Sequence, residues 1–147
     1  MIIINNFDEY KLLEGKLVGT SSWHIIDQHQ INRFAEATLD HQWIQAADES
    51  PYHSTIAHGY LTLSLIPYLS KQIAEVRNIS MEINYGIENL KFGQPVKVDH
   101  EVSLQATIKT VNNLKGTVKV VVGAKLIIKD QEKPAYTGDV VFLYHFS

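Results

Sequence analysis

The second half of the chain is dominated by long runs in which apolar and polar side chains alternate. A period of two residues is typical of β-strands with one buried face. Two polar turn segments, 112–116 (Asn-Asn-Leu-Lys-Gly) and 130–134, separate the later runs, and the first of them is a strong hairpin signal. Long neighbouring strands joined by short turns predict an antiparallel meander. The predicted strands are 79–85, 96–111, 117–128 and 135–146.

The first third of the chain predicts a short strand followed by a helix. Residues 15–26 carry β-branched and aromatic side chains and are expected to end as a strand. Asp27 then has the position of a helix N-cap, with Gln30 three residues later in a capping-box arrangement. Apolar side chains follow at helical spacing, and we expect the helix to end near Leu39. The residues at this spacing are Ile31, Phe34, Ala35 and Thr38.

The segment 59–69 can be read in two ways. Leu61, Leu63 and Leu65 alternate as in a strand, whereas 61, 65, 66 and 69 also fit a helix that is apolar on most sides. Such a helix must be buried. Pro67 would bend or interrupt it because proline lacks an N–H. A buried helix against an antiparallel sheet is an α+β arrangement, and the twist of the sheet would let it wrap the helix.

The composition limits the classes of function that the chain can have. Its 147 residues, 45% hydrophobic and 20% charged, predict a single domain over 1–147. The net charge is −3 without a basic stripe, so we expect no nucleic-acid partner. The chain has no cysteine, which excludes a thiol nucleophile, a disulfide framework and a zinc ribbon and fits a cytoplasmic location. The apolar start is too short for a secretory signal, and no apolar run approaches membrane-spanning length, so we expect no membrane association.

Two residues in the middle of the chain have functional groups suited to chemistry at a carbonyl group. Asp40 follows the predicted end of the first helix, and Gly59 opens the next one. A carboxylate can move a proton, and an unpaired N–H at a helix start can bind a developing oxyanion. Each residue also has a structural interpretation: Asp40 as a turn former and Gly59 as a site of close packing. His58 is similarly interpreted as an N-cap residue or as a support for the loop that presents Gly59.

Four segments together resemble a known family. They are 34–40, 40–44 (Asp-His-Gln-Trp-Ile), 55–65 (Thr-Ile-Ala-His-Gly-Tyr-Leu-Thr-Leu-Ser-Leu) and 84–86 (Asn-Tyr-Gly). With these motifs the chain resembles the MaoC-like hydratases of the hot-dog fold, in particular the nodulation-protein-N-like branch. The resemblance extends from about residue 17 to the end of the chain.

The resemblance implies a fold, an activity and a partner. The fold would be a curved antiparallel sheet wrapped around a long central helix, with dimers whose sheets join edge to edge. The activity would be hydration of trans-2-enoyl thioesters of coenzyme A to (R)-3-hydroxyacyl thioesters, or the reverse dehydration. In such proteins an Asp and a His five positions later activate the water, and a Gly amide binds the thioester oxygen. We expect no cofactor, and no metal either, because His53 and His58 lack the four-residue spacing of helical metal ligands.

Carried over position by position, the family Asp falls on Asp40 and the oxyanion-binding glycine on Gly59. The family His falls on Gln45, and the Pro-aromatic pair that follows it arrives about four residues early. The catalytic set predicted by the resemblance is therefore Asp40, Gln45 and Gly59. His58 and Asn84 are the predicted substrate-binding residues, although the strand pattern also suggests that Asn84 caps a strand end.

Gln45 leaves three outcomes open. An amide can orient water but cannot exchange a proton near neutral pH, so its presence should cost on the order of 10²-fold in rate. Asp40 could perform both proton transfers, or His41 or His53 could supply the second one. Alternatively, the pocket binds an acyl-CoA thioester without hydrating it. A thioesterase that uses a lone carboxylate is a third possible function.

Overall fold

The computed structural model describes residues 1–41 and 54–147. Its helices are α1 (Phe7–Lys11), α2 (Gln28–Thr38), α3 (Gly59–Ser64) and α4 (Ile66–Ile73). Its strands are β1 (Ile2–Ile4), β2 (Leu17–Thr20), β3 (His24–Ile25), β4 (Ala74–Val76), β5 (Ile79–Phe92), β6 (Glu101–Leu114), β7 (Thr117–Ile128) and β8 (Tyr136–Phe146). None of the helices in these two ranges is long and apolar enough to cross a membrane.

The main sheet has the order β2-β6-β7-β8-β5, with β3 also paired to β6, and all of these pairings are antiparallel. The predicted meander is thus confirmed in β6, β7 and β8. The hairpin between β6 and β7 turns at Lys115 and Gly116, which have φ angles of 54° and 97°. Positive φ at both positions is typical of a two-residue hairpin turn. Asn113 Oδ1 accepts a hydrogen bond from the Gly116 N–H at 3.0 Å and so closes the turn.

Two strand predictions need correction. The strand expected from residue 96 begins at Glu101, because Asp99 adopts a left-handed conformation with φ of 67° and turns the chain. His100 therefore precedes β6 instead of lying on it. The strand expected over 79–85 continues to Phe92, so Asn84 lies in its middle and does not cap its end.

Helix α2 begins and ends where the sequence predicts. The Asp27 side chain accepts a hydrogen bond from the Gln30 N–H at 2.8 Å, as expected of an N-cap. The Gln30 side chain does not complete the capping box in the predicted way, because its Oε1 lies 2.8 Å from His24 Nε2. The helix ends at Leu39, whose φ of 62° is left-handed and whose side chain is 81% exposed.

The ambiguous segment is helical. Helices α3 and α4 follow each other with a break at Leu65, two residues before Pro67, as the missing N–H predicts. Leu61, Leu65 and Leu69 are buried at helical spacing, and they pack in one core with the inward side chains of β6 and β7. At the end of α4 the chain enters β4, which pairs in parallel with β1. The α+β hot-dog fold, a curved antiparallel sheet around a central helix, is thereby confirmed.

Candidate active site

The start of α3 is fixed by a short stretch of pairing with the segment after β5. The Ala57 N–H donates to the Val96 carbonyl at 2.8 Å, and the Val98 N–H donates to the Thr55 carbonyl at 2.9 Å. Two residues later Gly59 is the first residue of α3. N–H groups in the first turn of a helix have no intrahelical acceptor, and the helix dipole favours negative charge there. The local fold therefore presents a peptide donor at a defined place.

An aromatic cluster lies against this helix start. A Cβ atom on Gly59 would lie 2.8 Å from Phe92 Cε1, so the absence of a side chain lets the ring approach. The Phe92 ring meets Tyr60 and Tyr136 edge-on, with centroid separations of 6.3 and 6.4 Å. Burial raises the pKa of Tyr136 above its ordinary value, so its hydroxyl remains neutral, and it donates to the Thr62 carbonyl at 3.4 Å. These rings give the site an apolar wall.

His58 connects the end of α2 to the start of α3. Its Nε2 lies 2.8 Å from the Asp40 carbonyl oxygen, and its ring contacts Phe34 at a centroid distance of 5.0 Å. A carbonyl can only accept, so Nε2 carries the proton. Nδ1 is buried and finds no hydrogen-bond partner within the described part of the chain. Of the two interpretations of His58, this geometry favours support of the loop, since the side chain does not cap α3.

Asp40 and Gly59 line the same cavity, whose volume is about 410 Å³. The chain reaches Asp40 directly after the left-handed residue Leu39, which ends α2 and redirects the backbone. The structure therefore brings together two of the three predicted catalytic residues, with His58 beside them. The other lining residues are Ile56, Ala57, Tyr60, Thr62, Phe92, Gly93, Gln94, Pro95, Val96 and Ala135.

The remaining predicted residues do not lie in this cavity or are not described. Asn84 lines a neighbouring groove between β5 and the helices α3 and α4. Tyr60 lines both this groove and the cavity. His41 is exposed and directly follows Asp40. Gln45 and His53 lie outside the described residues. In the described ranges, no group of three or more acidic or histidine side chains has a metal-binding arrangement.

Sequence reasoning missed the wall formed by the end of β5 and the turn after it. Phe92 and the segment Gly93-Gln94-Pro95 line the cavity. The Gly93 N–H donates to the Ala135 carbonyl at 2.8 Å, and a Cβ atom on Gly93 would lie 2.6 Å from the Pro134 carbonyl oxygen. A Gly-x-Pro turn directly after an alternating strand was the available signal. Its position beside Gly59, however, depends on the pairing of β5 with β8.

The arrangement has the parts for addition of water to an activated carbonyl compound. A carboxylate can take a proton from water, and the N–H at the helix start can stabilise negative charge on a carbonyl oxygen.

Comparison with known proteins identifies the family of the chain. Residues 11–130 match the family described as MaoC like domain. The chain is 37% identical over 135 residues to 3-hydroxyacyl-thioester dehydratase Z of Mycobacterium tuberculosis, covering 88% of this chain and 89% of that protein. It is 34% identical over 142 residues to nodulation protein N of Rhizobium meliloti, covering 92% and 88%.

Solved structures show the same fold at low sequence identity. An R-hydratase from Pseudomonas aeruginosa superposes with a TM-score of 0.70 at 18% identity, covering 90% of this chain and 83% of that chain. An (R)-hydratase from A. caviae superposes with a TM-score of 0.68 at 20% identity, covering 86% and 95%. Together with the match over residues 11–130, the relatives show that the chain belongs to the MaoC-like domain family.

Proposed function

We propose that the protein is an acyl-thioester hydratase or dehydratase that interconverts trans-2-enoyl-CoA and 3-hydroxyacyl-CoA. The observation that carries the proposal is that Asp40 and the first residue of α3, Gly59, line one cavity with an aromatic wall. Relatives at 37% identity bear the name 3-hydroxyacyl-thioester dehydratase, which supports the same reaction class for this chain.

The proposed reaction uses each group for one step. The Asp40 carboxylate takes a proton from water as the water oxygen forms a bond to C3 of the enoyl chain. The electron pair of the C2–C3 double bond forms the C1–C2 double bond of an enolate as the carbonyl pair moves onto the thioester carbonyl oxygen, and the Gly59 N–H donates to that oxyanion. The protonated Asp40 then returns this proton to C2 as the electron pair of the enolate moves back, which completes the 3-hydroxyacyl product and regenerates the carboxylate. One such donor can lower the barrier by about 3 kcal/mol.

Two further residues have positioning roles in this proposal. His58 holds the Asp40 backbone next to α3 through its 2.8 Å hydrogen bond to the Asp40 carbonyl. Asn84 extends from β5 into the groove next to the cavity, where its amide can contact the acyl part of the substrate. Gln45, in the position of the family His, would orient the water without exchanging a proton.

Gln45 also favours a second candidate function, an acyl-CoA-binding protein that does not hydrate its ligand. Hydration needs one proton removed and one delivered, and an amide supplies neither. A thioesterase that relies on Asp40 alone is a further alternative. The products distinguish these functions. An acyl-CoA-binding protein forms no product, whereas a thioesterase releases a free thiol.

The test is loss of the enoyl absorbance when crotonyl-CoA or octenoyl-CoA is mixed with the pure protein. We expect hydration above the buffer rate and at least a ~10²-fold loss in Asp40→Asn, which retains the shape but not the base. Gln45→His should raise the rate if the pocket is otherwise competent. Binding of acyl-CoA without turnover in any of these proteins would favour the binder, and release of free CoA would favour the thioesterase.

We also propose a homodimer that forms through β5. This strand pairs only with β8 among the described residues, and its free edge runs along 14 residues. An exposed hydrophobic edge of this length is an aggregation site unless another strand covers it. The exposed apolar side chains on β5 are Met81, Tyr85, Ile87 and Phe92. Sedimentation of the wild type and of Ile87→Lys tests this: a dimer should be weakened by the added charge, and a monomeric wild type would exclude it.

A further inference from the structure

A polar groove of about 420 Å³ crosses the outer face of the main sheet, the face turned away from the core. Three lysines line it: Lys91 on β5, Lys109 on β6 and Lys125 on β7. All three side chains are exposed, and Lys125 alternates with the buried residues of β7. Asp139 on β8 is the one acidic side chain among the described residues that line the groove. Positive charge is thus concentrated here in a chain whose net charge is −3.

Strand register places two of the lysines on either side of a hydroxyl group. Lys125 pairs with Thr137 across β7 and β8, and Thr137 pairs with Lys91 across β8 and β5. Paired residues point to the same face, and neighbouring strands lie about 4.8 Å apart, so Lys91 and Lys125 are roughly 10 Å apart at their Cα atoms. Gln105 pairs with Lys125 on the other side. These four residues form the lysine row, which presents two ammonium groups, a hydroxyl and an amide.

The third lysine and the acidic residue neutralise each other. Lys109 Nζ forms an ion pair with Asp139 Oδ1, and the Asn89 amide donates to Asp139 Oδ2 at 3.0 Å. The hydrogen bond from Lys109, followed by that from Asn89, holds the pKa of Asp139 below its ordinary value. Within residues 1–41 and 54–147, neither Lys91 nor Lys125 forms an ion pair. The charges of the lysine row therefore remain available to a ligand.

The chemistry of the groove fits a small phosphorylated ligand. Lysine binds phosphate as a point charge, and a threonine hydroxyl is a further donor to phosphate oxygens. A specific protein interface covers roughly 800 Å² per partner around an apolar or aromatic centre. The described residues that line this groove include no aromatic and no large aliphatic side chain. A row roughly 10 Å wide matches the phosphate groups of one small molecule.

We propose that the lysine row is a binding site for small molecules with two or more phosphate groups. Lys91 and Lys125 bind the phosphates, and the Thr137 hydroxyl donates to an oxygen between them. Phe92, which packs against Gly59, follows Lys91 on β5, so the row and the candidate active site lie on opposite faces of the sheet. The site is therefore independent of the proposed function. Two sources share the required chemistry: the nucleotide part of coenzyme A and a free phosphorylated metabolite.

The test is calorimetric titration of the full chain with inorganic pyrophosphate at low ionic strength. We expect a dissociation constant below about 1 mM that rises with added salt, because exposed charges are screened. Lys125→Gln and Lys91→Gln should each weaken binding by ~10-fold, because a charged hydrogen bond is lost. Thr137→Val keeps the β-branched shape and should weaken binding by a smaller factor. Lys119→Gln is the matched control: it makes the same charge change on the same face of β7, six residues or about 20 Å away, and should bind as the wild type does.

Titration with coenzyme A and with pantetheine, its phosphate-free part, separates the two sources. Competition between pyrophosphate and coenzyme A, with weaker coenzyme A binding but unchanged pantetheine binding in Lys125→Gln, would assign the lysine row to the nucleotide part of coenzyme A. Simultaneous binding of both would assign it to a free metabolite. Absence of pyrophosphate binding up to ~10 mM would overturn the inference, as would equal affinities of Lys125→Gln and Lys119→Gln. Because the readout is binding of pyrophosphate, the result is separate from any measurement of hydration.

Discussion

Replacement of Gly59 by alanine separates the chemistry of the helix start from its packing. The peptide of the variant would keep the N–H donor, so the hydrogen bond to an oxyanion is formally retained. The backbone at Gly59 does not have a positive φ, so an L-residue fits without strain. The obstacle is the Phe92 ring, whose Cε1, Cζ and Cδ1 would lie 2.8, 3.0 and 3.2 Å from the new Cβ.

The effect on stability should be small. Phe92 is 50% exposed, so its ring can rotate away from the methyl group at a cost of about 0.5–1.5 kcal/mol. Alanine in a helix is more favourable than glycine by roughly 0.5–1 kcal/mol. The two terms nearly cancel, and the free energy of unfolding should change by less than about 1 kcal/mol.

The effect on activity should be large. The methyl group and the displaced ring enter the cavity where the thioester oxygen would approach the N–H. If that contact is lost, the barrier rises by about 3 kcal/mol, which is a rate loss of roughly 100-fold. The assay is hydration of octenoyl-CoA together with urea denaturation of the same preparation. Phe92→Ala and the double variant are the controls, because removal of the ring leaves only the methyl group as an obstacle.

Each result has a defined interpretation. Recovery of activity in the double variant would assign the loss to the displaced ring, and no recovery would assign it to the methyl group at the oxyanion position. A Gly59→Ala protein with the wild-type rate would refute the placement of the thioester oxygen at this helix start. A destabilisation of several kcal/mol would show instead that Phe92 is held rigidly.

Three further predictions concern stability. Leu39→Gly should raise the free energy of unfolding by up to about 1 kcal/mol, because glycine has no steric penalty at a φ of 62°. Thermal unfolding would detect this increase, and a lower melting temperature would contradict the prediction. His58→Ala should lower the free energy of unfolding by about 1–2 kcal/mol, because the hydrogen bond to the Asp40 carbonyl and the contact with the Phe34 ring are lost. Urea titration measures this change. An unchanged midpoint would show that His58 does not stabilise the connection between α2 and α3. A hydrogen bond from the Val111 backbone and a second interaction with Lys11 lower the pKa of Glu14 from its ordinary 4.5. The contribution of ionised Glu14 to folding stability is therefore complete above pH 4.5 and is lost as the pH falls through the lowered pKa. Glu14→Gln should therefore flatten the loss of stability below pH 4.5, and an identical acid profile would be evidence against this account.

The parts of the fold that sequence predicts are those with local causes. The β6–β7 hairpin follows from a turn whose residues favour positive φ, and the start of α2 follows from the Asp27 side chain. The apolar alternation of segment 96–100 predicts a strand continuous with β6, because alternation is the same whichever partner a segment has. Its actual partner is the short stretch Thr55–Ala57, far away in the sequence, and Asp99 then turns the chain.

The residues of the candidate site likewise fall into those that local sequence predicts and those that depend on strand pairing. Asp40 and Gly59 follow helix ends and match family motifs, so the sequence nominates both. Phe92 reaches Gly59 only because β5 pairs with β8 over ten described register positions, which no local pattern specifies.

The close approach at Gly93 has a consequence for the interpretation of natural variants. Any side chain there would meet a main-chain oxygen of Pro134 at 2.6 Å, and main chain cannot rotate away as a ring can. We therefore expect evolution to retain glycine at 93 even in descendants that have lost all activity. Glycine at 59, where the neighbour is a movable ring, should drift once selection for substrate turnover is relaxed, so position 59 is the more informative indicator of a working enzyme.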